Sequence, residues 1–176
     1  RAPAGTVAHA ARVRRRGGDG RDLRHRHRGD PARAPHRVPR GVPAARHRPR
    51  ILAHLLALPD GDRYLRFGYV ASDAQLAHYA DLIDFSHDEV FGIFSRRLEL
   101  LAIAHLAVQP ATAKVPRAEA EFGVSVLPKA RGRGYGSRLF DHAVLHARNR
   151  HVDTLVIHAL SENTAMLRIV RTAGAT

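Results

Sequence analysis

Residues 119–148 read EAEFGVSVLPKARGRGYGSRLFDHAVLHAR, and this stretch decides the fold. Glu119–Leu127 (EAEFGVSVL) reads as a strand closed by Pro128. Ser137–Arg148 places Leu139, Phe140, Ala143, Val144 and Ala147 on one face of an amphipathic helix. Between them lies Lys129-Ala-Arg-Gly-Arg-Gly-Tyr-Gly136. Glycines at 132, 134 and 136 remove side chains where a backbone would approach a ligand closely. The helix that follows offers unpaired N–H groups and the positive end of its dipole. Together these suit a pyrophosphate, with Arg131 and Arg133 as further cationic donors. A Gly-rich turn with solvated arginines is the plainer reading of the same residues. The dinucleotide fingerprint is excluded, because it needs a glycine at Ser137, and no Gly-Lys-Ser/Thr makes a Walker loop.

Outward from this stretch the patterns stay regular. Pro49, Ile51, Leu52, Leu55 and Leu56 predict a short helix with an apolar stripe. Ser72 to Gln75 is a capping-box signature, followed by Leu76, Tyr79, Ala80 and Ile83 at helical spacing. Arg63–Tyr69 (RYLRFGY) reads as an aromatic and basic link between the two. Glu89–Phe94 and Leu98–Val108 read as strands joined through Ser95-Arg96-Arg97, and Gln109–Ala118 as a loop. Downstream, Asp153–Leu160 reads as a buried strand, and Ser161 as the cap of a last helix in which Met166, Leu167 and Val170 face inward. The order implies an α/β arrangement around a mixed sheet flanked by helices.

The first fifty residues differ. Of the chain's 29 Lys+Arg and 16 acids, they hold 15 Arg and 3 Asp, so the net charge of +13 belongs almost wholly to them. They use only nine residue types and contain none of the ten Phe and Tyr. Such a segment cannot bury enough apolar surface to offset its ordering entropy. Residues 1–50 are therefore expected to be disordered or a frame-error product, since all nine types have G/C-rich codons. A basic arm that binds nucleic acid is the rival reading. With no cysteine, disulfides and thiolate zinc sites are excluded, and a reducing compartment fits. The apolar runs Ile51–Leu58 and Leu98–Val108 are too short to cross a bilayer, and no secretory signal is seen. Neither a membrane nor nucleic acid is expected as partner, and a cytoplasmic location is. The chain begins at Arg1 rather than Met, so a fragment is one reading.

Arg131-Gly-Arg-Gly-Tyr-Gly136 resembles the pyrophosphate motif of the GNAT N-acetyltransferases, Gln/Arg-x-x-Gly-x-Gly/Ala, at Arg131, Gly134 and Gly136. Val124-Ser125-Val126-Leu127-Pro128 resembles the strand that runs along pantetheine in that family. Ser161–Leu167 with Gly174 resembles its second signature, an Asn opening a helix and a Gly closing it. The likeness covers residues 51–176, nearest to the acetyltransferase domains of bacterial protein-lysine acetyltransferases. It implies an N-acetyltransferase domain over 51–176, incomplete at its C-terminal end. The sheet would lack a regular first strand, for which residues 1–50 show no pattern, and the last two strands.

The resemblance further implies acetyl-CoA as co-substrate, no metal, and an amine as the other substrate, a protein lysine among the options. Val124, Ser125 and Val126 would line the cofactor arm, Val124 and Val126 holding pantetheine and the acyl carbonyl by main-chain bonds. Arg131, Gly132, Arg133, Gly134, Tyr135 and Gly136 would hold the pyrophosphate, and Asn163 would touch the arm. An amine of pKa roughly 10.4 is mostly protonated at neutral pH and needs a base. His158 stands five residues before the motif Asn, where relatives often carry Glu, and Glu121 is its rival. Where many relatives have a Tyr as general acid, this chain has Val170. A CoA-binding module without turnover is the alternative.

Some features carry less. His142 and His146 have zinc-binding spacing but no third ligand, and read as a wet helix face. His105 reads equally as cleft lining or as a satisfied core histidine. Tyr135 could stack on the cofactor or pack. Tyr64 and Phe67 read as core packing before acceptor wall.

Overall fold

The computed structural model describes residues 46–109, 111–112 and 117–172, and the backbone of 8–14 and 36–37. The expectation of disorder or a frame error in residues 1–50 therefore falls largely outside the described residues, and so does Gly174.

The described strands are β1 (Ala8–Arg14), β2 (His36–Arg37), β3 (Glu89–Phe94), β4 (Leu100–Gln109), β5 (Glu119–Val126) and β6 (Thr154–Leu160). They form one sheet in the order β1-β6-β5-β4-β3-β2. All pairings are antiparallel except β5 with β6. The hairpin between β3 and β4 closes with Ser95 N–H on Glu99 O at 2.8 Å, while Ser95 Oγ accepts from the N–H groups of Arg97 and Glu99. Leu98 takes a left-handed φ of 59° in that turn, so the second strand begins at Leu100 rather than Leu98.

The helices are α1 (Arg48–Leu56), α2 (Asp60–Phe67), α3 (Asp73–Leu82), α4 (Tyr135–Asn149) and α5 (Thr164–Thr172). The capping box is present at both ends: Gln75 N–H donates to Ser72 Oγ, and Ser72 N–H to Gln75 Oε1. Two expectations change here. Arg63–Tyr69 is not a link, since Asp60–Phe67 is helical, with Asp60 and Asp62 at its positive end and Gly68 closing it at φ 82°. Ser161 does not cap α5. Its hydroxyl donates to Glu162, and Asn163 Oδ1 accepts from Met166 N–H at 3.1 Å instead.

Two arginines fasten the first three helices. Arg48 donates to the carbonyls of Ala80, Asp81 and Ile83 at the end of α3. Arg63 bonds Leu58 O, Ala71 O and the Asp73 carboxylate. These helices cover one face of the sheet: His54 of α1 meets Ser125, Arg66 of α2 lies on Gly123, and Tyr79 of α3 meets His105. On the other face, Phe140 of α4 packs on Phe122, and His142 packs on Phe91. The core lies on both faces, with Phe91 and Phe122 fully buried on the α4 side and Ile51 and Leu76 on the side of α1–α3.

No strand pattern is legible in residues 1–50, yet the backbone of Ala8–Arg14 pairs with the whole of β6 and that of His36–Arg37 with β3. Pairing of this kind is set by the neighbouring strand's open edge and not by local propensity. Among the described residues no helix is long and apolar enough to cross a membrane.

Candidate active site

The site begins where β5 and β6 part. Their ladder covers only Glu119–Glu121 against Thr154–Val156, although both strands run on, to Val126 and to Leu160. Leu127 N–H donates to Leu101 O on the β4 side at 2.9 Å. Main-chain direction alternates along an antiparallel strand, so the N–H and C=O of Val124 and Val126 turn toward the gap, where the ladder has ended. They can bond an extended amide-bearing chain inserted there, as a further strand would.

The loop follows directly. Pro128–Ala130 makes one turn of 3₁₀ helix, Arg131 is extended, and Gly132 and Gly134 take φ of 72° and 70°. Positive φ at two positions two apart is inexpensive only for glycine. A Cβ built on either would meet no atom within 4 Å, so the space above the loop is open. Gly134 is the N-cap of α4, no side chain caps it, and the first turn carries no acid. Exposed glycine backbone, a first turn without a side-chain cap and the positive helix end are what a diphosphate fits.

The other expected loop residues are placed unevenly. Arg133 is exposed. Arg131 pairs with the Asp62 carboxylate, fastening the loop to α2. Tyr135 is buried and packs into the core rather than lying open over the loop. A Cβ on Gly136 would stand 3.4 Å from Ile169 Cδ1, so this glycine faces α5 rather than the open space above the loop. Asn163 bonds inward, capping α5 and donating to Leu65 O of α2 at 3.4 Å. The Ser125 side chain is buried away from the gap, its Oγ 2.8 Å from His54 Nε2. Because His54 Nδ1 lies 2.9 Å from Leu100 O, Nδ1 carries the proton and Nε2 accepts from Ser125. Burial pushes the His54 pKa down, against the Leu100 carbonyl and the charge of Glu99, which raise it.

Glu121 and His158 are both exposed. Glu121 pairs with Val156, so it and His158, two residues further along β6, lie on the face covered by α1–α3, one on each side of the parting strands. The same face holds a cluster that the sequence did not disclose. Tyr79 Oη is 2.6 Å from His105 Nδ1, His105 Nε2 is 2.9 Å from Asp88 Oδ2, and Arg66 Nη2 is 3.0 Å from Tyr79 Oη. Burial raises the Tyr79 pKa, while the Arg66 charge lowers it and those of Asp88 and Glu121 raise it. His105, read as either cleft lining or core histidine, is thus a histidine with both ring nitrogens engaged. Phe67 packs edge-on against Tyr79. Only the helical spacing after Ser72 hinted that Tyr79 faces the sheet.

His142 and His146 are not a wet helix face. Both stand edge-on to Phe91, and His146 Nε2 is 3.1 Å from the buried Glu89 carboxylate. Among the described residues no group of three or more His, Cys, Asp or Glu is placed to hold a metal ion.

The sheet thus parts beside a glycine loop and the start of a helix. The model of the acetyltransferase (GNAT) family matches residues 41–174, and the chain belongs to that family. The GNAT domain of S. lividans PAT superposes with a TM-score of 0.63 at 24% identity, over 78% of this chain and 79% of that one. An integron cassette protein from the mobile metagenome of V. cholerae gives 0.58 at 21%, over 82% and 86%. A ribosomal-protein-alanine N-acetyltransferase from Brucella melitensis gives 0.54 at 18%, over 74% and 79%. No curated protein sequence matches the chain.

Proposed function

We propose that the protein transfers an acetyl group from acetyl-CoA to an amine by direct attack of the amine on the thioester, in the cytoplasm. The observation that carries this reading is the parting of β5 from β6 after Glu121, which turns the main chain of Val124 and Val126 into the gap beside the Gly132–Gly134 loop. The loop and the start of α4 hold the diphosphate, with Arg133 and Arg131 at its edge. The β5 main chain holds the pantetheine arm and offers N–H groups to the carbonyl oxygen as negative charge develops there. Asn163 acts by setting the start of α5 beside the arm.

The amine enters over the face covered by α1–α3. There His158 or its rival Glu121, both open to water, removes the proton that keeps the incoming ammonium from attacking. The acceptor is a protein lysine or a small-molecule amine. Val170 is buried, so it leaves no acid at that position for the departing sulfur. A thiol of pKa roughly 8.5 leaves tolerably without one.

Calorimetric titration of the full chain with acetyl-CoA tests the reading, beside a Gly134→Glu variant. Saturable one-site binding that the variant abolishes, and thiol release on adding a panel of amines, are expected. A folded wild-type chain that binds no acetyl-CoA removes the basis for it.

A further inference from the structure

Four side chains from four segments meet on the face covered by α1–α3, one residue from the main chain that turns into the gap. His105 is the register partner of Gly123, and the Arg66 guanidinium lies over that glycine. Asp88 and His105 are 14% and 13% exposed in their side chains, so their pairing is largely dry. The protons can be assigned from donor and acceptor capacity alone. A carboxylate only accepts, so His105 Nε2 carries the hydrogen toward Asp88. Nδ1 then has a lone pair and takes the Tyr79 hydroxyl hydrogen. Arg66 only donates and fills one lone pair of Tyr79 Oη, which leaves the other open.

The chain also has a second consistent state, with the phenol's proton moved to Nδ1 and an imidazolium held against Asp88. Moving between the two states lets Tyr79 Oη accept a proton from outside without becoming a free phenolate.

We propose that Tyr79 takes the proton that the acceptor nitrogen sheds as the amide forms, with His105 and Asp88 as its positioning residues. This rests on the acetyl-transfer reading. As the amine's lone pair forms the C–N bond, the C–S bond breaks and its electron pair leaves on sulfur. The N–H proton passes to Tyr79 Oη while the phenol's own proton passes to His105 Nδ1. Water later takes that proton back out along the same path, and solvent protonates the thiolate. The surroundings act on the Tyr79 hydroxyl in both directions: burial, Asp88 ahead of β3 and Glu121 on β5 hold its proton on, whereas Arg66 from α2 favours its release. His158 or Glu121 keeps the earlier task of deprotonating the ammonium.

The test uses Tyr79→Phe, His105→Gln and Asp88→Asn in the full chain, with thermal unfolding to confirm folding. Tyr79→Phe keeps the ring against Phe67 and is expected to lower kcat about 10²-fold, with acetyl-CoA affinity and amine KM within threefold of wild type. Asp88→Asn is expected to lower kcat in the same direction with the amine KM unchanged, because a neutral amide no longer balances the charge that the relay places on His105. A readout free of turnover is the ¹⁵N shift pattern of the imidazoles, which should show His105 as the Nε2–H tautomer at pH 8. Full kcat in folded Tyr79→Phe, or an Nδ1–H tautomer at that pH, overturns the relay while acetyl transfer stands. Failure of the folded wild type to bind acetyl-CoA overturns both.

Discussion

The guanidinium of Arg66 lies over the bare Cα of Gly123 so closely that a Cβ there would stand 2.1 Å from Nη2. The glycine is what lets a cation from α2 rest on β5 beside the gap, where it donates to Tyr79. In Gly123→Ala the obstructing atoms are the far end of a flexible side chain, so Arg66 swings away and the strand stays in place. The expected cost is that of one hydrogen bond from a charged donor, about 1.5–3 kcal/mol. Arg66→Gln should lose a similar amount, and the double variant should lose little more than the larger single loss. Denaturant unfolding of the three variants reads this directly, and strict additivity would show that the two residues are energetically unconnected.

The loop glycines differ in what they do, which separates their variants. Gly134 has φ 70° with open space above it, so Gly134→Ala meets no atom and pays only for a left-handed backbone, about 1–2 kcal/mol. Gly136 is helical, and the Cβ of Gly136→Ala would meet only Ile169 Cδ1, at 3.4 Å, so it leaves the loop backbone in place. Gly134→Ala is expected to weaken acetyl-CoA binding about tenfold or more through disturbed amide geometry, and Gly136→Ala to change it less. Isothermal titration of both decides, and equal affinities for the two would argue that the φ of 70° has no part in binding.

The legible parts of the chain were those whose pattern repeats locally. Phe122, Leu139, Phe140 and Ala143 announce strand and helix by period, and Gly132 and Gly134 announce the loop by lacking side chains. The helix at Asp60–Phe67 was obscured by Arg63, Tyr64, Arg66 and Phe67, whose use depends on what α2 lies against, although Asp60, Asp62 and Gly68 are end signals of the ordinary kind. Asn163 outcompeted Ser161 as cap because the chain turns two residues later than the first polar candidate. The pairing of Ala8–Arg14 with β6 left no local trace, as Ala and Arg are weak strand formers. The Arg66–Tyr79–His105–Asp88 chain could not be read at all, because its members come from four segments that only tertiary packing unites. The same holds for His54 and Ser125, 71 residues apart.

Glu89 is fully buried on the α4 face, with Arg150 Nη1 at 2.9 Å and His146 Nε2 at 3.1 Å from its carboxylate. Arg150 also donates to His87 O at 3.2 Å, so it joins the end of α4 to the entry of β3. Removing one partner of a buried pair leaves an uncompensated charge and costs about 3–5 kcal/mol. Arg150→Ala is expected to cost less than that range, because His146 stays 3.1 Å from the carboxylate. Glu89→Gln, which removes the charge that Arg150 balances but keeps the shape, is expected to lose less. Chemical denaturation distinguishes the two. An Arg150→Ala protein within 1 kcal/mol of wild type would mean that the pair behaves like an exposed one.

The buried His54 sets a pH dependence whose sign follows from its surroundings. Burial holds its folded pKa below the unfolded value of roughly 6.5. The folded chain therefore resists a proton that the unfolded chain accepts. Its contribution to stability is whole above roughly pH 6.5 and is lost as pH falls from there toward the folded pKa. Half-buried His142 carries the same sign, through burial and the neighbouring His146, so the wild-type curve alone does not isolate His54. The difference between wild type and His54→Gln does. Gln has no proton to gain, and its amide still faces Ser125 Oγ. Unfolding free energies measured from pH 7 to pH 5 are expected to fall more steeply in wild type, by at most about 1.4 kcal/mol per pH unit for one proton. If the two curves run parallel across that interval, His54 takes up its proton as readily in the fold as outside it, and burial does not set its pKa.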